Sequence, residues 1–138
     1  MLVGKHLLVF DAGASLRELG RASDILNNAQ QLHLFLSHFH PTHIEGLPFF
    51  APLFEAGRDV RIYARRTSSE SAADTLNRHF SPPHFPIAFM GEQKVSNVSI
   101  VDLEPPGRIE LDDATAIEYL HEPDPESGIA FHITLGAF

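Results

Sequence analysis

Residues 32–50 read LHLFLSHFHPTHIEGLPFF. The first part, Leu32 to Ser37, is an apolar, β-compatible run interrupted only by His33. Its length and composition predict a buried strand. His38, His40 and His43 follow at spacings of two and three. In α/β folds the loops leaving the C-terminal ends of strands carry the working side chains, so the cluster stands where a site is expected.

The rest of the chain extends this pattern in both directions. Leu7 to Phe10 is a second apolar run, stopped by Asp11-Ala12-Gly13, and reads as a strand ending in a turn. Ser15 with Glu18 three residues on has the spacing of a reciprocal N-terminal cap, predicting a helix that runs past Gly20 to about Asn28. Residues 44–56 read as a helix interrupted by Pro48 and Pro52 and stopped by Gly57. Val60 to Ala64 reads as a third strand, and Thr67 with Glu70 predicts a second capped helix reaching Phe80, ended by Ser81-Pro82-Pro83. Beyond it the pattern is all strand: Val95 to Leu103, Arg108 to Leu111, Ala114 to Leu120 and Gly128 to Leu135. Alternating strands and helices followed by a run of strands predict a mixed α/β layer structure rather than a doubly wound parallel sheet.

At 138 residues, 43% hydrophobic and 20% charged, the chain has the size and composition of one globular domain. A net charge of -8 with ten Lys and Arg argues against extended nucleic-acid binding. The basic group Arg58, Arg61, Arg65 and Arg66 reads first as a solvated strand edge and second as a phosphate contact. There is no apolar stretch of membrane-spanning length and no secretory leader pattern, so the expected location is the cytoplasm, with no membrane partner.

The absence of cysteine limits any metal site to nitrogen and oxygen donors. Neutral imidazole is a ready ligand for zinc, and three nitrogens plus a water form the arrangement that lowers the water's pKa towards about 7. His38 and His40, two apart in an extended segment, point to one side, and His43 lies in the following turn. From spacing alone, a metal site and a plain loop cluster both stay open, because nine histidines in the chain make a chance pair credible. His33 reads as buried and hydrogen-bonded, His132 as structural, and His79 and His84 as flanking the proline turn with no motif to claim them. On residues alone His121 is an ordinary strand-end side chain. Asp11 suits either a turn carboxylate accepting backbone amides or a partner that orients ligating imidazoles.

FDAG at Phe10 to Gly13 with LSHFHPTHIEGLPFF at Leu36 to Phe50 resembles the metallo-β-lactamase-fold metallohydrolases, whose signature is H-x-H-x-D-H after a hydrophobic strand, and DAGASLRELG, HIEGLPFF and SPPHFP resemble more narrowly their ribonuclease Z and phosphodiesterase-like branch. The resemblance runs over nearly the whole chain. It implies a partial metallo-β-lactamase αββα sandwich, with mixed sheets and flanking helices, as a single domain over 1–138 that is incomplete at both ends. It implies a metal held by His38, His40 and, in EYLHEPDPESGIAFHI, His121, with His43 beside a second position and Asp11 behind the ligands. Ile129 stands where the family has an aromatic.

The pattern also breaks. Thr42 occupies the place of the family's aspartate, and a neutral hydroxyl is a poor substitute for an anionic oxygen facing a divalent cation. The bridging aspartate and final histidine of the family fall beyond Phe138. One ion, Zn2+ or another divalent metal such as Mn2+ or Fe2+, is therefore expected rather than two. An incomplete sandwich is also expected to expose an apolar sheet face, a reason to anticipate a homodimer. The function implied is a metal-dependent hydrolase of a phosphodiester or another ester, working through a metal-bound hydroxide. The alternatives are a degenerate, non-catalytic relative that binds metal or a protein partner, and a structural domain without metal.

Overall fold

A computed structural model describes residues 1–83, 85, 97–122 and 128–136. Five strands form the first sheet: β1 (Leu2–Val3), β2 (His6–Phe10), β3 (Gln31–Leu36), β4 (Asp59–Arg65) and β5 (Asn97–Leu103), in that spatial order. β1 is antiparallel to β2, and β2 to β5 are parallel. Parallel neighbours need crossovers. These are supplied by α1 (Leu16–Leu19) and α2 (Ser23–Asn28), by α3 (Pro41–Ile44) with two 3-10 turns, and by α4 (Ala72–His79).

Strand alternation sorts the core into two clusters. Leu7, Leu32, Leu34, Leu36, Val60, Ile62 and Val98 face the crossovers and pack on Leu16, Leu26, Ile44, Leu47, Phe50 and Leu76. Leu8, Phe35, Tyr63 and Leu103 face the other way, onto Ile117 and Ile129 of a second sheet. That sheet is an antiparallel meander of β6 (Gly107–Asp112), β7 (Thr115–His121) and β8 (Ile129–Leu135). The layers are therefore helices, mostly parallel sheet, antiparallel sheet. Among the described residues no helix is long and apolar enough to cross a membrane.

Several elements differ from the sequence expectation. The first helix is two short ones: Ser15 makes no side-chain cap bond, and the chain turns at Gly20, where an added Cβ would lie 3.2 Å from both Ala51 N and a Phe50 ring carbon. The interrupted helix over 44–56 is instead α3 followed by the 3-10 turns Leu47–Phe49 and Ala51–Phe54, each with its proline in the first turn, where a missing N–H costs least. Thr67 Oγ1 accepts from Glu70 N at 3.0 Å, but this closes an isolated turn. The second helix begins one turn later, capped by Ser71, whose Oγ accepts from Asp74 N. His84 and the start of the strand expected from Val95 lie outside the described residues.

The face of the antiparallel sheet turned away from the core is mostly polar, with Leu120 its exposed apolar residue, where an apolar one was expected. Arg108, Glu110, Glu118, His132 and Thr134 alternate with the core-facing residues, and Arg108 pairs with Glu118 at 3.0 Å and Glu110 at 3.4 Å. The apolar face that motivated a homodimer is thus not present there.

Candidate metal centre

β2 and β3 end side by side, with Phe10 opposite Phe35, so the Asp11 turn and the histidine loop leave the sheet together. Asp11 N donates to Phe35 O, Ala12 N to His43 O, and Gly46 N to Ala12 O. Two glycines permit this backbone-on-backbone packing. A Cβ on Gly13 would lie 2.7 Å from Thr42 O, and one on Gly46 would collide with Gly13 O. The DAG and HIEG segments are therefore one packed unit, which explains why both glycines stand where they do.

Asp11 sits at φ 59°, a left-handed conformation that a short polar side chain tolerates. Its carboxylate is the hub of the cluster. Oδ1 accepts from Ser37 N at 2.9 Å and Ser37 Oγ at 2.8 Å, and Oδ2 contacts His43 Nδ1 at 2.9 Å. Ser37 Oγ also lies 2.9 Å from His38 Nδ1. A hydroxyl has one proton, and with it committed to Asp11 the His38 contact requires His38 Nδ1–H as donor. An ionised Asp11 only accepts, so His43 Nδ1–H donates to it as well. Both rings then give Nδ1–H to the network, which leaves Nε2 as the nitrogen turned away from it. His40 Nδ1 is 3.0 Å from Thr42 Oγ1.

The three rings lie close together, with centroids 4.2 Å apart for His38 and His43, 6.0 Å for His38 and His40, and 6.4 Å for His40 and His43. Loss of solvent, then the neighbouring His43, hold His38 below the ordinary imidazole pKa against the opposing pull of Asp11. Its ring is accordingly neutral near pH 7, the form that binds metal. Among the described residues, however, no group of three or more His, Asp or Glu side chains is arranged to hold an ion as it stands.

His121 ends β7 in the row of Ile117 and Tyr119 that faces the core, opposite Ile129. Ile129 N donates to Ser37 O at 2.9 Å, and a Cβ on Gly128 would collide with Ser37 O. The start of β8 thus abuts the histidine loop, with His121 exposed one strand further away. Among the described residues no hydrogen bond or ring contact joins it to His38, His40 or His43. Thr42 is exposed, with its hydroxyl on His40. The residue that sequence reasoning missed is Ser37. Its position beside His38 was visible, but its bond to Asp11, 26 positions away, was not.

A second polar cluster lies between the sheets. His33 is buried as anticipated, with Nδ1 at 3.2 Å from the Tyr63 hydroxyl and Nε2 at 3.1 Å from His6 Nδ1. His6 Nε2 reaches Asp112 of β6 at 3.0 Å. Nearby, Arg61, Tyr63, Asn97, Ser99 and Ile109 line an open cleft of about 660 Å³ that contains none of the predicted ligands. Arg58, Arg61 and Arg66 of the basic group each have an acidic partner, in Glu55, Asp59 and Glu104. No family model matches the chain, and no curated protein sequence matches it.

Proposed function

We propose that the chain is a metal-dependent hydrolase related to the metallo-β-lactamase-fold phosphodiesterases, its layers forming part of an αββα sandwich. The observation that carries this reading is the Asp11–Ser37–His38–His43 network, to which two imidazoles give Nδ1–H, with Nε2 turned away from it, at the C-terminal ends of parallel strands. The donor set suits a divalent ion of the zinc class. His38, His40 and His121 would hold it, with His43 alongside. Such an ion lowers the pKa of bound water and so supplies the nucleophile for a phosphodiester or other ester at neutral pH.

The chain's own contribution is orientation. Asp11 fixes the rings of His38 and His43, and the Gly13–Thr42 and Gly46–Gly13 packing holds the two loops in register. Thr42 spends its hydroxyl on His40 and brings no anionic charge, which favours one ion over two. The same observation favours a second reading, a non-catalytic relative that keeps the loop to bind metal or a protein partner.

Metal analysis of the purified chain together with hydrolysis of bis(4-nitrophenyl) phosphate, for the native protein and Thr42→Asp, separates these readings. The hydrolase predicts about one bound equivalent and turnover in the native chain, with a higher metal content in Thr42→Asp. Bound metal without turnover in either chain selects the second reading. Less than about half an equivalent and no turnover rejects the hydrolase and the metal-binding form of the second reading.

A further inference from the structure

The two sheets end in β1, β5, β6 and β8, and these four edges are not alike. β1 is only two residues long, β6 carries Arg108, Glu110 and Asp112, and β5 carries Ser99 and Asp102, all features that discourage pairing with another chain. β8, Ile-Ala-Phe-His-Ile-Thr-Leu, has no charge when His132 is neutral, no proline, and a regular seven-residue register against β7. It is the unguarded edge among the described residues.

Backbone parity shows which groups that edge offers. Alternate residues of an antiparallel strand direct N–H and C=O to opposite sides. Glu122 N donates to Gly128 O and Gly136 N to Ala114 O, so the even-numbered residues around and within β8 bond to β7. Ile129, Phe131, Ile133 and Leu135 face outward, and the first already gives its N–H to Ser37 O at 2.9 Å. Phe131, Ile133 and Leu135 present the remaining open donors and acceptors. Leu135 is also 54% exposed, although it continues the core-facing row of Ile129, Phe131 and Ile133.

We propose that β8 pairs antiparallel with β8 of a second copy about a two-fold axis at Ile133, joining the two three-stranded sheets into one. In this register Ile133 meets the partner's Ile133, and Phe131 meets the partner's Leu135 and the reverse. The three open residues are all used, and each pair exchanges two hydrogen bonds. The core-facing row becomes a seam of apolar cross-strand pairs, while on the outer face His132 meets the partner's Thr134 without charge conflict. A register centred on His132 would need the N–H that Ile129 gives to Ser37. An isologous strand pair closes on itself, so the assembly stops at two.

Light scattering of the full chain over a concentration series up to about 100 µM tests this, since a seam below about 1,200 Å² implies a weak dimer. The native chain approaches twice 15.3 kDa at the top of the series. Leu135→Pro removes an outward N–H and leaves the β7 ladder intact, and it weakens the dimer at least tenfold. The double variant His132→Lys with Thr134→Lys sets like charges across the seam and does the same. Circular dichroism unchanged from the native chain shows that both variants fold. A native mass that stays at 15.3 kDa, a dimer that survives both variants, or growth beyond two copies each overturns the proposal.

Discussion

Asp11 combines a left-handed backbone with three accepted hydrogen bonds, and the two facts belong together. The turn at φ 59° aims the carboxylate back over the end of β3, where Ser37 N, Ser37 Oγ and His43 Nδ1 converge on it. Asn keeps both the shape and the tolerance for this conformation, but it replaces one acceptor oxygen with a donor. In Asp11→Asn the His43 ring must accept where it now donates, which turns its proton onto Nε2, the atom a metal would use. Ser37→Ala frees His38 from its fixed tautomer without touching His43. Zinc titration of the two variants should show affinity reduced by about 10-fold to 100-fold in each, with thermal stability nearly unchanged in Ser37→Ala. Unaltered zinc affinity in both would remove Asp11 and Ser37 from any orienting role.

Helix starts show how far local sequence reaches at the scale of elements. Ser15/Glu18, Thr67/Glu70 and Ser71/Asp74 share one spacing, yet only the last opens a helix of more than one turn with a side-chain cap bond. Capping chemistry is local, while the choice among competing caps is made by packing. Ala72, Thr75 and Leu76 are buried on the sheet, and Ala72 N donates to Asp102 of β5 at 2.8 Å. Ser71→Ala should therefore cost about 1 kcal/mol in urea unfolding, and Ser15→Ala close to nothing. Equal losses at the two positions would contradict the assignment. The strands were legible because apolar runs and alternation are themselves local signals. His38, His40 and His43 were legible for the same reason. The Ser37–Asp11 link and the position of β8 against Ser37 were not, since each depends on contacts between segments far apart in sequence.

At the scale of the molecule, the mostly parallel sheet is buried on both faces, and its second face carries a polar line in an otherwise apolar layer. Tyr63 O–H to His33 Nδ1, His33 Nε2–H to His6 Nδ1, and His6 Nε2–H to the Asp112 carboxylate form a consistent chain of donors linking β4, β3, β2 and β6. His6 is fully buried and His33 nearly so, and around them stand Arg61 and Asp59 from β4. Burial first, then the neighbouring His6, lowers the His33 pKa from 6.5 to about 4. An unfolded chain binds a proton at this residue as pH falls below about 6.5 and the folded one does not, so stability falls from that pH down to about 4 and is insensitive to His33 below it. The loss from this group is at most about 3 kcal/mol. Single and combined substitutions should then behave in opposite ways. Tyr63→Phe or Asp112→Ala leaves an imidazole nitrogen buried without its partner and should cost about 1 to 3 kcal/mol at pH 7. Replacing His6 and His33 by Leu and Tyr63 by Phe together removes the buried members of the line and leaves the part-exposed Asp112 carboxylate to water, and should cost less than either single change while flattening stability between pH 6.5 and 4. Urea unfolding at pH 7 and pH 4 measures both. A triple variant that loses the sum of the single penalties, or keeps the native fall in stability with acid, would show that the line of imidazoles is not what couples these two sheets to pH.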